Sequence, residues 1–325
     1  MIKKRFFFTL LSVFIFACCA YFSFGVYARF SRIKEEQANL RKKKAAWDDL
    51  GQSVRKTVSG YNGSMGLVLK DLSTGWTIEI NKDMPFPSAS LVKIPVMAAV
   101  FLAGESGKVD MNGVVTLQNR YKTGGSGSLK NMPAGKRFTV GDLVAIMITE
   151  SDNTAANILI DLLGFEYLNP AFRYLGLENT DIKRKMMDFS GRKKGVENFT
   201  TAADQAQLLE NIYRKKLLNG RISDRCLDIL KQQKMHDRIP ARLPRGIEIA
   251  HKTGLEQGVC HDAGIVFTPQ GDFLICALIK HNDKISRPAK RMISRIALDA
   301  YNYTTGERQN VEIRQAQAGK KRDTR

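Results

Sequence analysis

Two groups of β-patterned segments stand at opposite ends of this chain, with helical patterning between them, and this restricts the fold more than any other feature. Near the start, GLVLKDLSTGWTIEI splits at Ser73-Thr74-Gly75 into two β-rich runs, the pattern of a hairpin. Near the end, IEIAHKTG, DAGIVFTP and GDFLICALIKH return to strand pattern, with Pro269-Gln270-Gly271 as a second hairpin turn. Between them LVKIPVMAAVFLA, VGDLVAIMITE, AANILIDLLG, AADQAQLLENIYRKKLL and SDRCLDILKQQ read as helices, and RPAKRMISRIALDAYNY as a closing helix. The pattern predicts an α/β (α+β) fold: one antiparallel β-sheet built from both chain ends, with an inserted all-helical lobe. A chain of 325 residues has room for one such domain with a sizeable core.

The formal net charge is +19, which raises nucleic acid or an anionic surface as a partner. Its distribution weakens that idea. Residues 1–45 carry +8 and residues 308–325 carry +4, leaving +7 for the 262 residues between them. Basic ends on a mildly basic body suit a membrane surface or solubility better than a nucleic-acid groove, and no nucleic-acid-binding signature is present.

The first residues divide further. Residues 1–5 are a basic n-region, and 6–28 hold no charge, long enough for a transmembrane anchor or a signal. Val26-Tyr27-Ala28 can pass as a cleavage site, but the apolar run exceeds a usual signal core, which favours an uncleaved anchor. Phe16 fits the small-residue context of a lipid-modified Cys18 badly. Residues 29–45 form a charged stalk, helical or extended; a catalytic-size domain covers 46–307; and 308–325 read as a disordered basic tail. Five cysteines without regular spacing make no disulfide framework, and Cys226 and Cys276 sit on apolar-patterned segments that suit buried thiols.

Three short elements carry chemistry. In Ser90-Leu91-Val92-Lys93, a helix beginning at Ser90 places Lys93 one turn on, on the same face. A serine needs a neighbouring base to act as a nucleophile, and a lysine serves when burial and nearby positive charge lower its pKa. In Ser151-Asp152-Asn153, between two helical runs, the second serine can pass a proton to a leaving nitrogen and Asn153 can hold a substrate amide. On a strand, Lys252 supplies positive charge, Thr253 a hydroxyl for a substrate carboxylate, and Gly254 room for close backbone approach. The backbone N–H groups of Ser90 and Leu255 can then form an oxyanion hole. Each triplet taken alone also fits an N-cap, a turn or a polar strand end.

In this order and spacing the set SxxK, SDN, KTG resembles class A β-lactamases and the penicillin-binding D,D-peptidases that share their fold, over about residues 46–305. ESDNTAANILI and IAHKTG strengthen the likeness. The resemblance implies an active-site-serine hydrolase that forms an acyl-enzyme with β-lactams. It also implies an Ω loop, here running from Arg184 to Thr200-Thr201, in which a Glu and an Asn hold the water that frees the acyl group. Those positions are Met186 and Ser190 in this chain. A thioether accepts no proton, so slow deacylation is expected. Asp188 is the nearest carboxylate, read either as a substitute base or as a structural partner of Arg184.

Three functions follow from the resemblance: a β-lactam hydrolase slow to deacylate; a membrane-anchored D,D-peptidase acting on acyl-D-Ala-D-Ala ends of peptidoglycan; and a non-hydrolytic β-lactam or cell-wall sensor. Partners are then β-lactams or peptidoglycan stem peptides, with a monomer expected. Such substrates are met outside the cytoplasm, which orients a single-pass anchor in a bacterial membrane with its N-terminus inside and the domain on the periplasmic or outer face.

No cofactor or metal is expected, since His236, His251, His261 and His281 lack zinc spacing. His251 alternates away from the site and reads as structural, while His261-Asp262 fits either the pocket or a turn. The resemblance places the stretch 124–128, GGSGS, opposite KTG, where Ser126 or Leu129 can touch substrate.

Overall fold

The structure, a computed structural model, describes residues 2–306, with side chains within 2–28 described at only some positions. The chain divides into two units, 1–53 and a second that begins at Val54. Helix α1 (Ile2–Ser59) is one continuous helix, so the expected stalk is helical. Residues 29–50 contain neither Gly nor Pro and are rich in Lys, Arg, Glu, Ala and Leu, all good helix formers.

Among the described residues, no helix is long and apolar enough to cross a membrane. This overturns the expected single-pass protein and its placement with the N-terminus inside. The described stretch of α1 carries Arg29, Arg32, Lys34 and the run Arg41 to Lys44, charges that hydrocarbon excludes. The run 6–28 falls largely on residues whose side chains lie outside those described, and the tail 308–325 lies wholly outside them.

In the second unit, β1 (Gly63–Asp71) and β2 (Thr77–Ile80) form the first hairpin, with Leu67 opposite Ile80 and Lys70 opposite Thr77. Asp71 Oδ1 accepts from the amides of Ser73 and Thr74, each at 2.9 Å, which closes the turn. A two-residue strand β3 (Phe86–Pro87) leads to a 3₁₀ turn, Ala89–Val92, that runs into α2 (Lys93–Glu105). Short strands β4 (Val114–Thr116) and β5 (Arg137–Thr139) pair before α3 (Val140–Thr149), α4 (Asn153–Leu163) and α5 (Phe165–Tyr174). Then come α6 (Phe189–Lys193), β6 (Phe199–Thr200) paired with β3, α7 (Ala202–Tyr213) and α8 (Gly220–Lys231). Strands β7 (Ile249–Glu256), β8 (Val259–Val266) and β9 (Phe273–His281) and helix α9 (Arg287–Thr305) complete it.

The sheet order is β2-β1-β9-β8-β7, every pair antiparallel. Strand β9 lies beside β1 from Gly63 opposite His281 to Asp71 opposite Phe273, so the two chain ends do build one sheet. Every residue of β8 is buried, which requires cover on both faces; α7, α8 and α9 pack against the sheet. Helix α2 is apolar all round and forms the centre of the helical lobe, with α3, α4 and α5 against it. Pro95 sits in its first turn, where amides lack helical partners anyway. Helix α5 buries Leu168, Ala171 and Phe172 on one face, with Pro170 inside it.

The 124–128 loop, which packs on Asp152 at the start of α4, depends on one glycine. Gly127 has φ +101°, and a Cβ there would lie 2.0 Å from Asp152 Oδ2 and 2.4 Å from Asp152 Cα. Asp152 cannot retreat: Oδ2 accepts from Leu129 N at 2.9 Å, and Oδ1 caps α4 through Ala155 N at 2.8 Å. Gly127→Ala should therefore destabilise the domain by about 2–4 kcal/mol, from backbone strain plus overpacking. A urea-unfolding midpoint equal to that of the parent would contradict this packing.

Candidate active site

The turn that carries Ser90 is held from below. Leu91, Val92, Lys93 and Ile94 are all fully buried, which leaves Ser90 turned outward on the 3₁₀ turn. Ala89, just before it, has φ +45°, a left-handed conformation unusual for a residue with a side chain. Ser88 N donates to Asn198 O at 2.7 Å and Leu91 N to Ser88 O at 3.0 Å, bonds that keep Ala89 in place.

Lys93 does not bond to Ser90. Its Nζ donates to Ser151 O at 2.6 Å and Asn153 Oδ1 at 2.8 Å, with Ser151 Oγ at 3.4 Å. Ser151, at φ +54°, sits in the break between α3 and α4, and its hydroxyl also accepts from Lys252 Nζ at 2.9 Å. Lys252 is held in turn by the carbonyl of Thr253 at 2.8 Å. One hydroxyl thus lies between two amines, and neither amine has any solvent exposure.

Burial sets the electrostatics. It pushes Lys93 down to about 7, with the Asp152 carboxylate opposing that shift. Burial also holds Lys252 well below the ordinary lysine range, and the neighbouring Lys93 charge lowers it further. The pair therefore favours one charge over two. A neutral Lys93 has a lone pair for a proton, and Ser151 Oγ is within reach of both amines.

Ser90 and Asn153 line a cleft of about 910 Å³, together with Ser126, Leu255, Glu256 and residues of the 184–198 loop. Lys93, Ser151, Lys252, Thr253 and Gly254 are buried and are not among the lining residues. Gly254 brings β7 against the Ser90 turn: a Cβ on it would lie 3.4 Å from Ala89 Cβ. Leu129 is a core residue rather than a cleft residue.

Met186 lines the cleft and is clamped by Asn157, whose Oδ1 accepts from Met186 N at 2.7 Å and whose Nδ2 donates to Met186 O at 3.1 Å. Ser190 is exposed on α6 and is not a lining residue. Asp188 takes a structural role, but not with Arg184. Its Oδ1 accepts from Gly191 N at 2.9 Å as the N-cap of α6, and it is not among the cleft-lining residues. Arg184 instead pairs with Glu197 at 2.6 Å and Glu256 at 3.2 Å, and Arg192 joins the same two carboxylates at 3.3 and 3.2 Å. Sequence reasoning missed Asn157, although it lies four residues after Asn153 on one helical face. It also missed Met187, Phe189, Lys193 and Glu256, which reach the cleft only through tertiary folding.

The histidines stay outside the cleft. His251 Nδ1 pairs with the buried Asp262 Oδ1 at 2.9 Å. His261 lies inside β8, not in a turn or the pocket: Nδ1 accepts from Ile279 N at 3.1 Å, so Nε2 donates to Pro87 O at 2.8 Å. Burial pushes His261 down to about 4, so it is neutral near pH 7. Cys226, Cys260 and Cys276 are free and buried. Among the described residues, no cluster of His, Cys, Asp or Glu could hold a metal ion.

Comparison with known proteins places this architecture. Residues 49–304 match the family model described as the Beta-lactamase enzyme family. Beta-lactamase VEB-1 of Pseudomonas aeruginosa is 25% identical over 275 residues, 80% of this chain and 91% of its own. The crystal structure of a β-lactamase from Sphaerobacter thermophilus superposes with a TM-score of 0.72 at 30% identity, covering 80% of this chain and 98% of that one. The structure of PBP-A gives 0.72 at 32% identity, covering 80% and 96%. A mutant of PBP-A has been solved as an acyl-enzyme complex with penicillin G.

If Lys93 is the base for Ser90, the rate of Ser90 modification by an activated acyl ester should rise with pH through a midpoint near 7. The sign follows from burial: below that midpoint the amine is protonated and can accept nothing. A rate flat from about pH 5.5 to about pH 9 would exclude Lys93 from the role.

Proposed function

The chain belongs to the beta-lactamase enzyme family, and from that premise we propose that Ser90 forms an acyl-enzyme with β-lactams and releases it slowly. The fold and the serine-hydrolase class follow from family membership; the individual roles are inferred from the geometry. The observation that carries them is the Ser151 hydroxyl, 2.9 Å from Lys252 Nζ and 3.4 Å from Lys93 Nζ.

Ser90 Oγ attacks the lactam carbonyl while neutral Lys93 takes its proton. This requires the Lys93 amine to swing from Ser151 and Asn153 toward Ser90, a rotation its long side chain permits. The carbonyl oxygen, now an anion, is received by the backbone N–H groups of Ser90 and Leu255, both on the cleft wall. The proton passes through Ser151 to the lactam nitrogen as the C–N bond breaks. The family resemblance assigns the substrate carboxylate to Lys252 and Thr253, which are buried behind the cleft wall and are reached only by a local opening of it; that negative charge restores a full positive charge on Lys252. Asn153 keeps one Nδ2 hydrogen for the substrate amide, the other going to Gly124 O at 3.0 Å.

Release is slow because nothing at the cleft activates water. Met186 has no basic atom. Glu256 is the one carboxylate among the lining residues, and Arg184 and Arg192 engage it. General-base help is typically worth about 10²–10⁴-fold, and that is the expected loss. The same absence supports a second reading, a D,D-peptidase acting on acyl-D-Ala-D-Ala ends, for which a stable penicillin adduct is also expected. The likeness to PBP-A favours keeping it.

Intact-mass spectrometry after mixing with benzylpenicillin tests the proposal. A Ser90 adduct that persists for many minutes is expected. Rapid return to the unmodified mass with drug turnover would contradict slow release, and no adduct would leave only the sensor. Release of D-Ala from an acyl-D-Ala-D-Ala peptide would select the peptidase. Met186→Glu should speed deacylation roughly tenfold or more; an unchanged rate would mean that position 186 does not face the acyl group.

A further inference from the structure

Four charged side chains line the cleft: Arg184, Arg192, Lys193 and Glu256. Three of them belong to a closed square with Glu197, in which each guanidinium meets both carboxylates. Arg192 also donates to Gln257 O at 3.2 Å, tying α6 to the β7–β8 turn. Two cations and two anions cancel there. Lys193 is outside the square, and among the described residues no carboxylate pairs with it. It is left as the uncompensated charge of the cleft mouth.

Its neighbours give it a direction. Phe189 and Lys193 are four residues apart on α6, so they share one face of that turn, and both line the cleft. Phe189 is 49% exposed, a large apolar surface left open beside Met186 and Met187. The backbone beneath is fixed by the Asp188 cap and by the bond from Lys194 N to Gly191 O at 3.0 Å. With a substrate carboxylate at Lys252 and Thr253, the acyl portion runs over the remaining wall. That wall carries both the apolar surface of Phe189, Met186 and Met187 and the Lys193 charge.

We infer that Phe189 and Lys193 form a specificity subsite for acyl groups that combine an apolar body with a second negative charge. This inference rests on the acyl-enzyme reading above and adds the substrate class: dicarboxylates rather than monocarboxylates. An exposed ion pair contributes modestly, so the expected preference is roughly three- to fivefold.

The test uses the whole protein and two penicillins differing by one carboxylate on the acyl side chain, benzylpenicillin and α-carboxybenzylpenicillin. Intact-mass spectrometry gives the second-order rate of Ser90 acylation for each. In Lys193→Gln the dicarboxylate-to-monocarboxylate ratio should fall roughly three- to fivefold, and further in Lys193→Glu. In the parent protein the ratio should fall as salt is raised. Adducts with both drugs and a ratio unchanged in both variants would overturn the subsite while leaving the acyl-enzyme reading intact. No adduct with either drug would overturn that reading, and the subsite with it.

Discussion

The Ser151 hydroxyl, set between two lysine amines that water cannot reach, is the constraint on which the rest of the site depends. Removing an ion from water costs several kcal/mol even after relaxation, and two charged amines here would repel one another in one small volume as well. The protein offsets this with acceptors instead of a direct ion pair. Lys93 has Ser151 O and Asn153 Oδ1, and Lys252 has Thr253 O and the shared hydroxyl. The nearby Asp152 carboxylate is committed to the caps of α4 and the preceding loop. What cannot be offset appears as a lowered lysine pKa, which is what a base at neutral pH requires. The left-handed backbone at Ala89 and Ser151 belongs to the same arrangement, with strain of order 1–3 kcal/mol per residue held by surrounding bonds.

The 184–198 loop solves a different problem. It is fastened at three places: Asn157 grips both backbone groups of Met186, Asn198 Oδ1 accepts from Lys183 and Arg184 amides, and the Arg–Glu square ties it to β7 and the turn after it. The loop thus has a fixed shape, with the Met186 thioether on the cleft wall.

How much of this was legible beforehand depends on the range of the interactions involved. The hairpins and the sheet from both ends followed from alternation and turn residues, which are local signals. The three triplets came together as their order suggested. The direction of Lys93 did not follow: one helical turn places it near Ser90, but the open acceptors of Ser151 and Asn153, sixty residues away in sequence, draw its amine elsewhere. Arg184 suggested Asp188 by proximity, whereas its partners come from the far end of the loop and from β7. His261 offered two readings, and the register of β8 against β9 excluded both. The uncharged run near the N-terminus suggested a membrane span that the described residues do not support.

Selective isotope labelling of lysine side chains, with Lys93 assigned by comparison with Lys93→Arg, reads the central electrostatic claim without any substrate. An Nζ titration midpoint for Lys93 near 7 is the result predicted. A midpoint at the ordinary lysine value of about 10.4 would mean that the amine stays charged at neutral pH and cannot take the proton of Ser90.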